Sequence, residues 1–207
     1  MNLYRILTEK PWQHNRLNDA GLADDAVLSM ASSPQKIALM FFLGVVAVLF
    51  ALFITAYVIR MELDDWRPMP ESGLLWFNTL LLFLSSIVLQ WTRNSLKKGL
   101  DRKLKTGLLI GALLTIGFIF GQLEVWRQMA GEGYYLYNNP ANSFFYVLTG
   151  IHGLHILGGL WVWTRASFRV WSGTDPEEVR LSVELCAVYW HFLLLVWLVL
   201  FALISYT

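Results

Sequence analysis

Two histidines stand three residues apart in a long uncharged stretch, residues 144–163, FFYVLTGIHGLHILGGLWVW. On a helix, His152 and His155 share one face. An ionisable side chain at bilayer depth is costly unless it is paired or hydrogen-bonded, so these imidazoles mark a candidate functional site. Another helix or a lipid could approach closely at the glycines of this segment, which are Gly150, Gly153, Gly158 and Gly159.

The composition indicates an integral membrane protein. Hydrophobic residues make up 56% of the 207 and charged residues 15%, whereas a soluble domain carries about 25% charge. The single cysteine, Cys186, supports neither a disulfide framework nor a cysteine metal site. A formal net charge of +1 gives no electrostatic footprint for nucleic acid, so no nucleic-acid partner is expected.

Five apolar stretches have about the 20 residues that a hydrocarbon core requires. Ser33 and Pro34 form a good helix start before the first of them. We predict a polar N-terminal arm over residues 1–33, without the pattern of a signal peptide, and an all-α, five-helix transmembrane domain over residues 34–207. The predicted spans are Ile37–Ile59, Gly73–Gln90, Thr106–Trp126, Ser143–Thr164 and Glu184–Tyr206.

The distribution of basic residues predicts the orientation. Thirteen lysines and arginines lie before the first span and around the second and fourth connections, against three on the opposite side. Because the basic side faces the cytoplasm, we expect a cytoplasmic N-terminus and an outside C-terminus. The run from Arg93 to Lys105 is also a candidate patch for anionic lipid. The three basic residues of the opposite side are Arg60, Arg67 and Arg127.

His191 is the third histidine within a predicted span, and its depth matches that of His155. With a rise of about 1.5 Å per residue, His155 lies roughly 18 Å from the outer end of the fourth span. On the fifth span, His191 lies roughly 20 Å from the outer face. We therefore expect these two side chains to face each other or to share one polar neighbour.

Several interpretations of these histidines remain open on spacing alone. A b-type haem between His155 and His191 would make the chain an electron-carrying membrane anchor. A proton relay would need further carboxylates, and the first two spans have no ionisable residue in their cores. Lipid contact and helix packing are the other two interpretations. A small transporter is disfavoured because no span is broken by proline or charged at its centre.

Three further charged residues lie near the predicted membrane boundaries. Glu124 falls near the outer end of the third span, where its carboxylate would pair with a neighbouring helix or bind a lipid head group. Glu184 opens the fifth span, where a carboxylate is favourable to the helix dipole. Arg169 ends the fourth helix, where a guanidinium would clasp a lipid phosphate or extend to the interface. No phosphate-binding loop, nucleophile elbow or HExxH motif occurs, so we expect no catalytic residue.

The fourth span resembles the signature helix of the cytochrome c oxidase subunit III family of haem-copper terminal oxidases, whose pattern is close to FFxxTGxHGxHVxxG. The last span, ELCAVYWHFLLLVWLVLFALISY, is similar to that family's EAAxxYWHFVDVVW. The second span, FNTLLLFLSSIVLQW, is similar to its LNTxLLxxSS, and GQLEVW matches QxxEW after a one-residue gap. The resemblance covers roughly residues 37–206 and is to the short, five-helix members.

The resemblance implies an accessory core subunit of a cytochrome c oxidase in aerobic respiration. Such a subunit packs on catalytic subunit I, beside subunit II and other subunits, and has no redox centre, because haem and copper belong to the partners. The family's subunit III supports proton uptake and turnover stability and holds structural phospholipids. The expected lipid or inter-helix polar contacts are His152, His155, Arg169, Glu184, His191 and Glu124.

Two intramembrane carboxylates of the family pattern are absent from this chain. The family's first helix carries a glutamate where Gly44–Val48 is apolar, and the aspartate after YWHF is Leu194. A different electron donor would be compatible with this divergence. Subunit III of a quinol oxidase and a subunit-III-like protein of nitric oxide reductase therefore remain alternatives, and the expected location is the bacterial inner membrane.

Overall fold

The computed structural model describes residues 34–68, 70, 72–96, 101–172 and 176–206. Among them five helices follow one another, and each contains a segment long and apolar enough to cross a membrane. This confirms the predicted all-α, five-span membrane fold. The predicted arm over residues 1–33 lies outside the described residues. The helices are α1 (Pro34–Met61), α2 (Gly73–Leu96), α3 (Asp101–Gly131), α4 (Pro140–Trp171) and α5 (Pro176–Tyr206).

The chain divides into two compact units, Met1–Met40 and Phe41–Thr207. Of the first unit the structure describes residues 34–40, which form the first turns of α1. The helix begins at the proline that the sequence indicated, since proline is well suited to a first helical turn. All packing described below lies within the second unit.

The start of α4 is fixed by a polar cap. Asn139 has extended backbone angles, φ −154° and ψ 140°, and its side chain accepts a hydrogen bond from the backbone N–H of Ala141. Pro140 follows at the first helical position, where its missing N–H is not needed. The Asn139 amide also donates to the carbonyl of Arg67 at 2.5 Å, which ties the α3–α4 connection to the α1–α2 connection.

The helix pair α2 and α3 packs through small polar residues. Asn78, Ser85 and Thr92 recur every seven residues on α2 and are fully buried. Ser85 bonds Thr115 Oγ1 at 2.9 Å, and a Cβ at Gly121 would collide with the Asn78 amide. Small residues at such an interface let two membrane helices approach closely, because short side chains do not hold the two backbones apart.

The pair α4 and α5 packs around large aromatic rings. Trp163 and Trp190 meet edge to face with centroids 4.6 Å apart, an arrangement that suits the ring quadrupoles. A Cβ at Gly159 would lie 2.8 Å from the Trp190 ring, so the helices can pass here only because this residue has no side chain. Trp190 therefore packs against both Trp163 and Gly159 of α4, and these contacts fix how α5 lies against α4.

Helix α1 reaches the other helices through large side chains. Phe50 and Tyr57 are buried in one apolar cluster with Leu148 of α4 and Leu200 of α5. The Phe50 ring also lies against both histidines of α4. This contact determines the surroundings of the candidate site.

Candidate functional site

His191 joins α5 to α2 through both of its ring nitrogens. Nδ1 lies 2.5 Å from Ser86 Oγ, and Nε2 lies 3.1 Å from Gln90 Oε1. In the neutral tautomer with its proton on Nε2, the ring donates to the Gln90 carbonyl oxygen and Nδ1 accepts from the Ser86 hydroxyl. Both ring nitrogens therefore have a partner within the chain. We call this set of three residues the His191 clasp.

Six residues further along α5 a second polar contact reaches α2. The indole N–H of Trp197 donates to Thr79 Oγ1 at 3.0 Å, and the Thr79 hydroxyl donates to the carbonyl of Leu75. Thr79 and Ser86 are seven residues apart and therefore lie on the same face of α2. The FNTLLLFLSSIVLQW segment thus has two polar faces, one toward α3 and one toward α5.

His152 is fully buried and has no hydrogen bond. Neither ring nitrogen has a partner among the described residues. Instead the imidazole lies among aromatic rings of three other helices, with centroid distances of 6.3 Å to Phe50, 6.1 Å to Phe118 and 5.2 Å to Trp197. We call these three rings the His152 cage. A buried polar group without a partner is rare in folded proteins, so this position is an unusual one.

His155 lies one turn away on the α1 side of α4. Its Nδ1 donates to the carbonyl of Ile151 at 2.8 Å, and its ring lies 5.6 Å from Phe50 and 6.4 Å from Phe42. The hydroxyl of Tyr189 on α5 donates to the backbone carbonyl of His155 at 2.8 Å. The side chain therefore contacts α1, whereas α5 contacts the backbone.

The described residues show no hydrogen-bonded pairing of His155 with His191. In the described part of the chain the two side chains have no hydrogen-bond partner in common, since one contacts α1 and the other is bonded to α2. Equal depth was the whole basis of the expected pairing, and depth does not determine which way a side chain points around its helix. The histidine pair that would ligate a haem is therefore not formed in this arrangement.

The two glutamates make local ion pairs. Glu124 Oε2 lies 3.5 Å from Nε of Arg127, one turn away on α3. Glu184 Oε1 lies 3.9 Å from Nε of Arg180 on α5, and the glutamate side chain is mostly buried. Both distances are long for charge-assisted hydrogen bonds, so the two pairs contribute little to the helix ends.

Arg169 lines a groove on the exposed face of α4, near the C-terminal end of that helix. The groove has a volume of about 480 Å³ and is formed by two arginines one turn apart, two aromatic rings and a threonine. Two guanidinium groups beside aromatic rings suit a phosphate with an apolar tail. The lining residues are Trp161, Thr164, Arg165, Phe168 and Arg169.

The sequence analysis did not identify the hydrogen-bond partners of His191 or the arginine that neighbours Arg169. Ser86 and Gln90 bond His191, and Arg165 stands beside Arg169. The four-residue spacing of each of these pairs places its members on one helix face and was a usable signal. Nothing in the spacing identified the His152 cage, because its rings come from three different helices.

Within the described ranges, no group of three or more His, Cys, Asp or Glu residues is arranged to hold a metal ion. The geometry is that of a helix bundle whose polar residues are directed mainly at one another. Its motif-bearing segments are the two faces of α2, the histidine turn of α4 and the Tyr189–His191 turn of α5.

Comparison with known proteins agrees with these motifs. The family model described as cytochrome c oxidase subunit III matches residues 11–207. The probable cytochrome c oxidase subunit 3 of Mycobacterium tuberculosis is 31% identical over 173 residues, 81% of each chain. The cytochrome c oxidase subunit 3 of Synechocystis sp. is 34% identical over 168 residues, 76% of this chain and 69% of that one. That of Thermostichus vulcanus is 29% identical over 160 residues, 74% and 77% respectively. The chain belongs to the cytochrome c oxidase subunit III family.

Proposed function

We propose that this chain is an accessory subunit of a bacterial cytochrome c oxidase and has no redox centre of its own. It packs on the haem-copper subunit I, beside subunit II, in the inner membrane, with its N-terminus in the cytoplasm. Cytochrome c is the electron donor to the complex. The subunit supports proton uptake and turnover stability in its partner, without the two family carboxylates, in whose places stand the apolar Gly44–Val48 segment and Leu194.

The observation that carries this proposal is the His191 clasp. An axial haem ligand needs a free nitrogen lone pair, and Nδ1 of His191 uses its lone pair to accept from Ser86 while Nε2 donates to Gln90. The same three residues hold α5 against α2, so they serve helix packing within the chain. Family membership supports the remaining part, since the relatives named above are subunits of a cytochrome c oxidase.

Gentle solubilisation and purification through a tag on this chain tests the proposal. We expect a large haem-copper subunit to co-purify, the complex to show haem bands, and the chain stripped from that complex to be colourless. A b-type Soret band in the stripped chain that disappears in His155→Ala or His191→Ala would refute it and identify an electron-carrying anchor.

The groove on α4 is proposed to bind a phospholipid. Arg165 and Arg169 would hold the phosphate, while Trp161 and Phe168 flank the glycerol and upper acyl region. Both arginines lie near the end of α4 that basic residues predict to be cytoplasmic, a side where anionic lipid is attracted to clustered positive charge. His152 then acts through helix packing, Glu124 and Glu184 make ion pairs within their own helices, and none of the three lines this groove.

Native mass spectrometry of the purified complex tests this site. The double variant Arg165→Gln, Arg169→Gln should retain one anionic phospholipid fewer, because loss of charge-assisted hydrogen bonds weakens binding by roughly tenfold or more. Arg102→Gln, an exposed arginine near the start of α3 and on the same side, is the matched control and should retain the full complement. Equal retention in the double variant and the control would overturn the assignment.

A further inference from the structure

The α3–α4 connection presents two stacked tyrosines on the side where α1, α3 and α5 end. The rings of Tyr135 and Tyr137 are nearly parallel, 8° apart, with centroids separated by 5.9 Å. Tyr137 is 82% exposed, and Leu136 between them is half exposed. Large aromatic side chains of this kind are the residues most enriched among the energetic anchors of protein interfaces.

This connection is held in one conformation by side chains that bond its backbone. Gly133 adopts φ +89°, which favours glycine. Four backbone carbonyls in or beside the turn accept hydrogen bonds from side chains of the turn and of α4. A segment so constrained loses little conformational entropy when a partner binds. The bonds are Asn138 to Gly133 at 2.9 Å, Tyr146 to Tyr134 at 3.0 Å, Asn142 to Tyr135 at 3.1 Å, and Ser143 to Leu136.

The α1–α2 and α3–α4 connections carry more acidic than basic residues. The bond from Asn139 to the carbonyl of Arg67 brings the α1–α2 connection alongside. On these two connections Glu62, Asp64 and Glu132 are exposed and have no ion pair within the described residues, whereas Arg67 is the one base in that position. Electrostatic complementarity therefore favours a partner surface with basic residues.

The neighbouring Asp65 is paired with Arg60. The two terminal guanidinium nitrogens of Arg60 donate to its carboxylate, Nη1 to Oδ1 at 2.7 Å and Nη2 to Oδ2. These hydrogen bonds hold the pKa of Asp65 below its ordinary value. Asp65 therefore stays charged but is already paired, and the charge available to a partner comes from Glu62, Asp64 and Glu132.

We infer that Tyr135, Leu136 and Tyr137, together with Glu62, Asp64 and Glu132 of the two connections, form a docking surface for a protein component of the same complex. The partner has an apolar recess rimmed by lysine or arginine. A lipid head-group layer is the weaker occupant, because tyrosines in a head-group belt need no rigid backbone to sit there.

Photocross-linking in the intact complex tests the inference. A benzophenone side chain replaces Tyr137 or, as the matched control, Tyr206, which is 89% exposed and ends α5 on the same side. We expect irradiation of position 137 in native membranes to give a discrete protein adduct whose contact peptide contains lysine or arginine, and position 206 to give lipid adducts. Lipid adducts alone at 137, the same protein adduct at both positions, or a contact peptide without basic residues would overturn it.

A second measurement gives the strength of the contact. Tyr137→Ala should weaken retention of the cross-linked partner by roughly thirtyfold, the effect of losing one strong interface anchor, and Tyr206→Ala should leave it unchanged. Unchanged retention in Tyr137→Ala would also refute the inference. The inference rests on the proposed function, because the partner is expected within the oxidase complex. The docking surface and the proposed function can be refuted independently, since co-purification of the haem-copper subunit tests the function whatever is found at position 137.

Discussion

His191 and His152 are both imidazoles in the middle of membrane-spanning helices, and their surroundings are opposite. His191 has a hydrogen-bond partner on each nitrogen, both from α2. His152 has no partner on either nitrogen and is enclosed by rings from α1, α3 and α5. The first is a polar connection between two helices, and the second is an imidazole packed as though it were an apolar ring.

The comparison shows that residue type and depth do not determine what a buried histidine contributes to stability. A satisfied hydrogen bond adds about 1 kcal/mol, and leaving a buried donor without a partner subtracts about 1–3 kcal/mol. Ring contacts return about 0.5–1.5 kcal/mol of that loss at His152. The His191 clasp therefore stabilises the bundle, whereas the His152 cage is near neutral or unfavourable.

The largest effect is expected from Trp197→Ala, because this residue is part of the His152 cage and also bonds α5 to α2. The indole is fully buried and donates to Thr79. Its ring centroid lies 4.9 Å from that of Phe118 and 5.2 Å from that of His152. Its removal should lower the free energy of unfolding by about 3–5 kcal/mol. Detergent titration of the purified chain in mixed micelles, followed by circular dichroism, measures this change.

Trp161→Ala is the control for that variant. Trp161 is 75% exposed on α4, so its removal should change the unfolding free energy by no more than about 0.5 kcal/mol. If the two variants were equally stable, the aromatic packing between the two histidine regions would not be the source of stability claimed for it.

The second effect is that of His191→Leu, which removes the clasp while keeping a similar volume. Ser86 and Gln90 would lose their partner, so we expect a loss of about 1–2 kcal/mol, toward the low end because hydrogen bonds between membrane helices contribute modestly. A double-mutant cycle with Ser86→Ala measures the coupling. Additive losses would mean that Ser86 and His191 do not stabilise each other, which contradicts the clasp.

The sequence predicted the fold well because each span is a local signal. Apolar length located all five helices, and Ser33-Pro34 located the start of α1. The helices extend past the predicted spans, as α4 does from Pro140 to Trp171, because a helix continues beyond the hydrocarbon as long as its backbone stays satisfied. Apolar length measures only the part in lipid.

The site was predicted less well because it depends on rotation about each helix axis. Both His155 and His191 were identified as buried polar groups, and their depths gave no information on their facing. The rings around His152 come from Phe50, Phe118 and Trp197, which lie far apart in the sequence. Only helix packing brings them together, and one sequence does not specify that packing.

The smallest loss of stability is expected from His152→Leu, and it separates the two environments most sharply. The substitution removes two nitrogens that have no partner, a gain of about 1–3 kcal/mol, and also the contacts with the cage, a loss of about 0.5–1.5 kcal/mol. The net change is about −0.5 to +2.5 kcal/mol, so the unfolding free energy should stay level or rise, in contrast to the loss expected for His191→Leu in the same titration. A loss as large as that of His191→Leu would show that His152 makes a polar contact in the assembled bundle, and the contrast between the two histidines would then be wrong.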